Sequence, residues 1–231
     1  MIKLVAFLGN PGAQYSGNRH NAAWHLACAL PFYDSLRWQK KFKGQYAALD
    51  SGKILTAAAI AETESLPEKF HFIKPETFMN LSGEAVFQAA AFFKIKLEEI
   101  LVVHDELEIP LGTISLKFSG GLGGHNGLRS MKACFGSADC WRLRIGIGRP
   151  NHDDIYSWVL SDFTAEETET LKPVLDSGAA LLVQSLIGKP ERLLPQWAKK
   201  KIVLPEQQEK VKPNKQNPDR NTNEGILNNG N

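Results

Sequence analysis

Apolar segments as long as a buried strand alternate along this chain with segments that carry the apolar stripe of a helix. The predicted strands are Ile2–Leu8, Gln45–Asp50, Ile54–Ala59, Phe70–Lys74, Ile100–His104, Gly112–Phe118 and Leu143–Gly148. The predicted helices are Asn21–Leu30, Leu81–Phe93, Asn126–Phe135 and Ala165–Leu186. This alternation predicts an α/β fold with a single globular domain, in which a twisted mixed β-sheet is flanked by helices on both faces.

Local signals predict several details of these elements. The two strands predicted between residues 45 and 60 are expected to form a hairpin. Asn18 or Asn21 can cap the first helix, and Thr164 begins a capping-box pattern before the last one. Because proline removes a helical hydrogen bond, Pro173 is expected to kink or divide that last helix.

The composition of the chain changes after Leu204. Residues 205–231 contain no aromatic residue, and their aliphatic residues are Val211, Ile226 and Leu227. Because so little apolar surface cannot offset the entropy of ordering the chain, residues 1–204 are predicted to fold and residues 205–231 to form a disordered polar tail. The three lysines at 199–201 are a candidate phosphate contact, although such a run is more often a solvated helix end.

The overall composition is that of an ordinary globular protein. A net charge of +2 over 231 residues neither requires nor excludes a nucleic-acid partner, because a local basic face can be hidden in a balanced total. Cys28, Cys134 and Cys140 lack the spacing of a metal site, which predicts reduced thiols in a cytoplasmic protein. Since no apolar run approaches ~18 residues and no secretory signal pattern begins the chain, we expect no membrane span.

Polar residues gather in four segments that follow predicted strands, where a purely structural strand end would not need them. These segments are 10–21, 77–83, 102–107 and 119–127. The carboxyl ends of strands are where α/β folds build their sites. The four segments are therefore the candidate functional residues of the chain.

The side chains in these segments suit ester hydrolysis without a covalent intermediate. His20 is predicted to take a proton from water, and Asp105 to hold the imidazole in one tautomer. The amides of Asn10, Asn80 and Asn126 can donate to carbonyl oxygens and accept from N–H groups. A single histidine at such a junction is more often a capping or packing residue, so the hypothesis depends on these groups lying close together.

The glycine-rich segment 119–127 allows two interpretations. It lacks the Gly-Lys-Ser/Thr ending of a Walker A loop, and the third glycine of a dinucleotide fingerprint is missing after Gly121 and Gly123. It is either a plain glycine-rich turn or a loop that delivers His125 and Asn126 to a helix N-terminus, where backbone amides favour a carbonyl oxygen or an anion.

Two other chemistries are weaker matches. A zinc site from His20, His104 and Asp105, or one using His125, would lack the usual His-x-x-x-His or cysteine pairs, and neighbours on a strand point to opposite faces. A serine nucleophile at 82 or 119 would lack the Gly-x-Ser-x-Gly elbow. We therefore predict no metal and no other cofactor.

Five motifs in this chain resemble, in order, those of the bacterial-type peptidyl-tRNA hydrolase family. They are the segment 8–12 with Tyr15 and Arg19-His20-Asn21, and the segments 74–83, 104–107, 123–128 and 142–148. The resemblance extends from residue 2 to about residue 149, and the helical region to about residue 186 fits as well. Asn18 and Ala23 stand where the family usually has threonine and glycine, and the polar tail is additional.

The resemblance implies that the chain cleaves the ester between peptide and tRNA, which releases free tRNA from prematurely terminated translation products. By this match His20 is the catalytic base, Asp105 its supporting carboxylate, and Asn10 distinguishes peptidyl-tRNA from aminoacyl-tRNA. It also implies a cytoplasmic, metal-free monomer that has peptidyl-tRNA as its partner, including products of stalled or dissociated ribosomes.

The resemblance further implies which residues bind the tRNA. The residues that match the groove near the tRNA 3′ end are Tyr15, Phe78, Met79, Asn80 and Asn126. Lys117 and Arg144 match positions that bind tRNA phosphate, although exposed strand charges would explain them equally well. Two alternatives stay open: an RNA-binding protein on the same scaffold without catalysis, and a general esterase.

Overall fold

The structure is a computed structural model, and it describes residues 1–61, 66–151 and 153–202. Its strands are β1 Leu4–Phe7, β2 Gln39–Lys41, β3 Gly44–Asp50, β4 Lys69–Pro75, β5 Ile100–Glu106, β6 Thr113–Phe118, β7 Trp141–Gly146 and β8 Lys200–Lys201. Its helices are α1 Ala22–Cys28, α2 Ser51–Ala57, α3 Ser82–Phe93, α4 Asn126–Phe135, α5 Ile155–Val159, α6 Ala165–Ile187 and α7 Leu194–Trp197. The predicted tail lies outside the described residues, so the boundary at residue 204 stays a prediction.

All eight strands form one mixed sheet, which confirms the predicted fold class. The strand order is β2-β3-β4-β1-β5-β7-β6-β8. The four central strands β4, β1, β5 and β7 are parallel, whereas β2, β3, β6 and β8 pair antiparallel at the two sides. The central parallel strands therefore end at the same edge of the sheet.

Alternating side chains of the central strands pack into two separate cores. Val5 and Phe7 face the layer that contains α1 and α6, where Leu26 is fully buried. Leu4 and Ala6 face the layer that contains α3 and α4. Both faces of the parallel strands are thus covered by helices, as predicted. Among the described residues, no helix is long and apolar enough to cross a membrane.

The predicted strand Ile54–Ala59 is wrong, because this segment forms α2. Only Ile54 of its apolar residues is fully buried, so the segment does not supply the continuous buried face that a strand interior needs. The following alanines favour a helix. The predicted hairpin is consequently misplaced as well: β2 and β3 form it, through a two-residue turn at Phe42 and Lys43.

Of the two signals predicted for the last helix, α6, the capping box was right and the division was wrong. Thr164 and Glu167 form the predicted capping box of α6. The predicted division at Pro173 is wrong: α6 runs unbroken past it, with Leu171 and Val174 buried on either side. Packing of these residues on the core outweighs the missing hydrogen bond.

Asn18 and Asn21 do not cap the first helix. The Asn18 amide donates instead to the carbonyl of Leu160, and the Asn21 side chain pairs with the backbone of Asn10. The short elements β2, β8, α5 and α7 were not predicted, because two to five residues carry too little periodicity to be recognised.

Helices α3 and α4 approach each other closely at Gly83, and we expect Gly83→Ala to lower the free energy of unfolding. A methyl group there would lie 2.4 Å from the backbone of Ser130, which cannot move aside as a flexible side chain could. Overpacking of this kind costs about 1–3 kcal/mol. Denaturant unfolding measures it.

The matched control is Gly52→Ala in α2, where an added methyl group meets nothing within 4 Å. That change should leave the stability unaltered or raise it slightly, because alanine favours a helix. Equal stability of the Gly83→Ala variant and the parent protein would contradict the close approach of the two helices.

Candidate active site

A cavity of about 640 Å³ opens at the edge of the sheet where the central parallel strands end. Asn10 follows β1, Met79 follows β4, and Asp105 lies near the end of β5, and all three line the cavity. After β1 the chain continues to β2 on one side of the sheet, whereas after β5 it continues to β6 on the other side. The crevice between two neighbouring strands whose connections diverge in this way is the usual ligand site of an open α/β sheet.

His20 and Asp105 lie in contact at the floor of this cavity. His20 is in a short 3-10 turn before α1, and its Nδ1 lies 2.9 Å from both carboxylate oxygens of Asp105. Because a carboxylate only accepts hydrogen bonds, Nδ1 carries the proton. The neutral imidazole then keeps its lone pair on Nε2, the nitrogen that Asp105 does not engage.

The contact shifts the pKa of both groups. Burial disfavours the charged imidazole, but the Asp105 carboxylate outweighs this effect through its charge and its hydrogen bond, so the pKa of His20 is raised. Burial opposes ionisation of Asp105 too, yet His20 and His125 hold its pKa well below the usual range. Asp105 is therefore an anion at neutral pH, and His20 is a stronger base than an isolated histidine.

His125 is a third member of the cluster, and its contact with Asp105 was not predicted from the sequence. It is the N-cap residue of α4: its Nδ1 accepts from the backbone N–H groups of Gly127 and Leu128 at 3.0 and 3.4 Å. Nε2 must therefore carry the ring proton, and it donates to Asp105 Oδ1 at 3.0 Å. The only signal in the sequence was the position of His125 between a glycine loop and a helix.

His104 lies beside the cluster but does not line the cavity. Its Nδ1 donates to the backbone carbonyl of Asp105 at 2.6 Å, and its ring meets the ring of His125 edge-on at 4.9 Å between centroids. Complete burial, followed by the proximity of His125, puts its pKa well below the ordinary value. His104 is therefore a neutral, buried residue, and it does not belong to the group of ligand atoms formed by His20, Asp105 and His125.

The cluster of His20, Asp105 and His125 has the composition of a metal site, since its ligand atoms lie within 4.8 Å of one another. The hydrogen bonds do not fit a metal. Nε2 of His125 would have to lose its proton to bind one, while Nδ1 is already occupied by two backbone donors of α4. Metal binding would thus require the cap of α4 to break.

The Asn10 side chain is held in a defined orientation. Its Oδ1 accepts from the backbone N–H of Met79 at 2.8 Å, so its NH₂ group is the polar end that remains for a ligand. The backbone N–H of Asn10 donates to Asn21 Oδ1 at 2.7 Å, and its carbonyl accepts from Asn21 Nδ2 at 3.0 Å. Asn21 thus fixes the turn that carries Asn10.

The other groove residues predicted from the sequence line the same cavity. They are Tyr15, Phe78, Met79, Asn80 and Asn126. Phe78 is 59% exposed although it is fully apolar, which leaves a free aromatic face at the cavity rim. The Asn126 Oδ1 accepts from Arg129, a guanidinium that also lines the cavity.

Lys117 and Arg144 lie outside the cavity, on β6 and β7. Arg144 is engaged within the protein: it donates to Ser115 Oγ at 2.7 Å and lies 3.6 Å from Glu106 Oε2. Lys117 is only partly buried, and its Nζ lies beside Gly120. Of the two predicted phosphate contacts, Lys117 is the one more free to meet a ligand.

Arg142 holds the glycine loop in place, and no role was predicted for this residue from the sequence. Arg142 is 2% exposed, and it donates to the carbonyls of Gly120, Gly121 and Ala138. The loop contains residues with positive φ, among them Gly123 and its neighbour at 124. Of the two interpretations above, the loop does deliver His125 and Asn126 to the start of α4, but two of the backbone amides there donate to His125 Nδ1.

Arg19 joins the His20 turn to the wall of the cavity formed by α5. Its guanidinium donates to Ser161 Oγ at 2.7 Å and to the carboxylate of Glu167 at 2.6 Å. It also lies 3.7 Å from the centre of the Trp158 ring in α5. Since its side chain is only 3% exposed, these contacts form in a largely dry environment and hold α5 firmly.

Known proteins of one family are similar to this chain over most of its length. The family model described as peptidyl-tRNA hydrolase matches residues 4–203. The peptidyl-tRNA hydrolase of Treponema pallidum is 42% identical over 207 residues, which cover 87% of this chain and 97% of that protein. The corresponding protein of Geobacter sp. is 42% identical over 193 residues, or 83% of this chain and 95% of that one.

Solved structures show the same fold. A crystal structure of peptidyl-tRNA hydrolase from Acinetobacter baumannii has a TM-score of 0.67 and 32% identity, and the match covers 84% of this chain and 91% of that chain. A complex of peptidyl-tRNA hydrolase with N-propanol has a TM-score of 0.72 and 30% identity, with coverage of 84% and 93%.

We expect Asp105→Asn to lower the pKa of His20. The change removes the negative charge that favours the imidazolium, whereas the burial that disfavours it remains. NMR titration of the His20 ring measures the effect. His71 is the internal control, because burial and Lys69 set its lowered pKa. An unchanged or raised pKa of His20 would contradict the assigned contact.

Proposed function

Because the chain belongs to the peptidyl-tRNA hydrolase family, it hydrolyses the ester bond between peptide and tRNA, and we propose that His20 is the general base of this reaction. The observation that carries the proposal is the buried His20–Asp105 contact at 2.9 Å on the floor of the cavity. Because Asp105 engages Nδ1, the Nε2 atom of His20 is left as a basic nitrogen in the cavity that the substrate is proposed to occupy.

In the proposed mechanism, Nε2 of His20 takes a proton from a water molecule as that water attacks the ester carbonyl. The imidazolium that forms then gives the proton to the departing ribose oxygen. Asp105 stabilises the imidazolium and keeps Nδ1 protonated, and His125 keeps the carboxylate in place. General-base assistance of this kind contributes roughly 10²–10⁴ in rate.

Asn10 is proposed to recognise the peptide part of the substrate. Its NH₂ group can donate to a carbonyl oxygen, and the second lone pair of Oδ1 can accept from a peptide N–H. Free aminoacyl-tRNA carries a charged ammonium group instead of this amide. A site built for a neutral amide would leave that charge poorly paired, so it would favour peptidyl-tRNA.

The tRNA is proposed to bind across the cavity and beyond it. Tyr15 and Phe78 can stack on a base or ribose of the 3′ end, and Asn80 and Asn126 can form hydrogen bonds with it. Lys117 is proposed to meet a backbone phosphate outside the cavity. Arg144 would contribute only by giving up part of its contact with Glu106.

We further propose that the protein acts as a monomer in the cytoplasm, on peptidyl-tRNA from stalled or dissociated ribosomes. The cluster of His20, Asp105 and His125 is complete within one chain, so the proposed reaction needs no residue from a second copy. The three unpaired cysteines are compatible with a reducing compartment.

We expect His20→Ala to reduce the turnover of N-acetyl-aminoacyl-tRNA by about 10²–10⁴-fold and to leave tRNA binding almost unchanged. The base is lost, whereas the groove residues remain. Deacylation under single-turnover conditions measures the rate, and fluorescence anisotropy measures the binding.

The control is His25→Ala, since His25 lies on α1 outside the cavity, where it bonds to the carbonyl of Ser16 and its ring meets that of Phe163 edge-on. Survival of turnover in His20→Ala would show that the base is another group. If the unaltered protein bound tRNA without deacylating it, the binding protein considered above would be the better assignment.

Lys117→Ala is expected to weaken tRNA binding and to make it less dependent on salt. Loss of one phosphate contact lowers the slope of log K against log salt by about 0.7–0.9. Lys53→Ala in α2 is the matched control, because this exposed lysine lies away from the cavity. Equal slopes for the two variants would remove Lys117 from the binding surface.

A further inference from the structure

Tyr156 is the most exposed large apolar or aromatic side chain in the described part of the protein, at 74%. It lies on α5 and lines the cavity together with Ile155, Val159 and Leu160. A side chain this exposed adds little to the core, so its ring is free to contact a ligand that enters the cavity.

The helix that carries Tyr156 is firmly anchored. The indole N–H of Trp158 donates to the carbonyl of Gly148 at 2.9 Å, and the guanidinium of Arg19 lies over the same ring. Asp154 caps the helix by accepting from the N–H of Ser157 at 2.9 Å. Tyr156 is therefore presented on a preorganised element, so a ligand that contacts it does not have to order the helix.

The charges around the cavity decide which part of a nucleic acid fits there. In the sequence, Tyr156 follows Asp153 and Asp154, and Glu106 adds a further carboxylate to the cavity lining; all three charges repel phosphate. The guanidinium that lines the cavity belongs to Arg129, on α4. The α5 wall therefore suits a neutral, flat group, and the phosphates favour the side of Arg129.

We propose that Tyr156 stacks on the base of the 3′-terminal nucleotide of the tRNA. This inference rests on the proposed function, because it assumes that the reacting ribose lies beside His20. Every base has a π-face that an aromatic ring can cover, and Phe78 supplies a second exposed ring in the same cavity. The side chain of the last amino acid is the competing occupant of this wall.

The test compares Tyr156→Ala and Tyr156→Phe on two substrates: an N-acetyl-aminoacyl-tRNA, and the same ester on a tRNA whose terminal ribose lacks its base. With the complete tRNA, the alanine variant should raise KM about 5-fold or more and leave kcat nearly unchanged. The phenylalanine variant keeps the ring and should behave like the unaltered protein. On the abasic substrate, all three proteins should have the same KM.

Phe92→Ala is the control for loss of an exposed ring, since Phe92 is 62% exposed and lies on α3 outside the cavity. Thermal melting verifies that each variant is folded. An unchanged KM for Tyr156→Ala would overturn the proposal. A loss that persists on the abasic substrate would also overturn it, and would assign the ring to the peptide.

Stacking by Tyr156 can be tested separately from ester hydrolysis, because binding of tRNA can be measured without turnover. If the unaltered protein deacylates neither substrate, the proposed function fails, and anisotropy with deacylated tRNA still tests the stacking. Tyr156→Ala should then bind complete tRNA about 5-fold more weakly and abasic tRNA as the unaltered protein does. Equal binding of complete tRNA by both proteins would overturn the stacking alone.

Discussion

The carboxylate of Asp105 holds the site together, because it is a buried charge that must be paired. It is 2% exposed and accepts hydrogen bonds from two imidazoles, those of His20 and His125. Loss of either partner would leave the charge incompletely compensated in a dry environment, which is costly. Three distant segments, after β1, at the end of β5 and before α4, are thereby brought to one point.

The principal pair of the site could be predicted from the sequence because strand ends are recognisable. His20 and Asp105 both follow apolar runs, and parallel strands bring such ends together. The position of His125 in the cluster could not be predicted, since it depends on which ring nitrogen the amides of α4 occupy. Asn21 was misjudged as a cap for a similar reason: its partner, Asn10, is a neighbour only in the folded chain.

Errors in the predicted fold arose where local pattern and tertiary packing disagree. The segment at Ile54 is apolar enough for a strand, but only one of its side chains has a buried position to fill, so it forms α2. Pro173 should interrupt a helix, yet Leu171 and Val174 pack on the core at either side of it. The alternation of strands and helices along the chain was the more reliable guide, because three of the four central strands, β1, β4 and β7, are followed by a helix before the next strand.

The contacts of Arg19 separate the side chains near α5 that can be replaced from those that cannot. Trp158 and Ser161 connect to the guanidinium, and through it to the backbone next to His20, so replacing either of them would disturb the position of the His20 ring. Ile155 and Tyr156 make no such connection and face the cavity. A protein engineer could thus redesign the substrate preference of this enzyme at two positions while the catalytic frame stays intact.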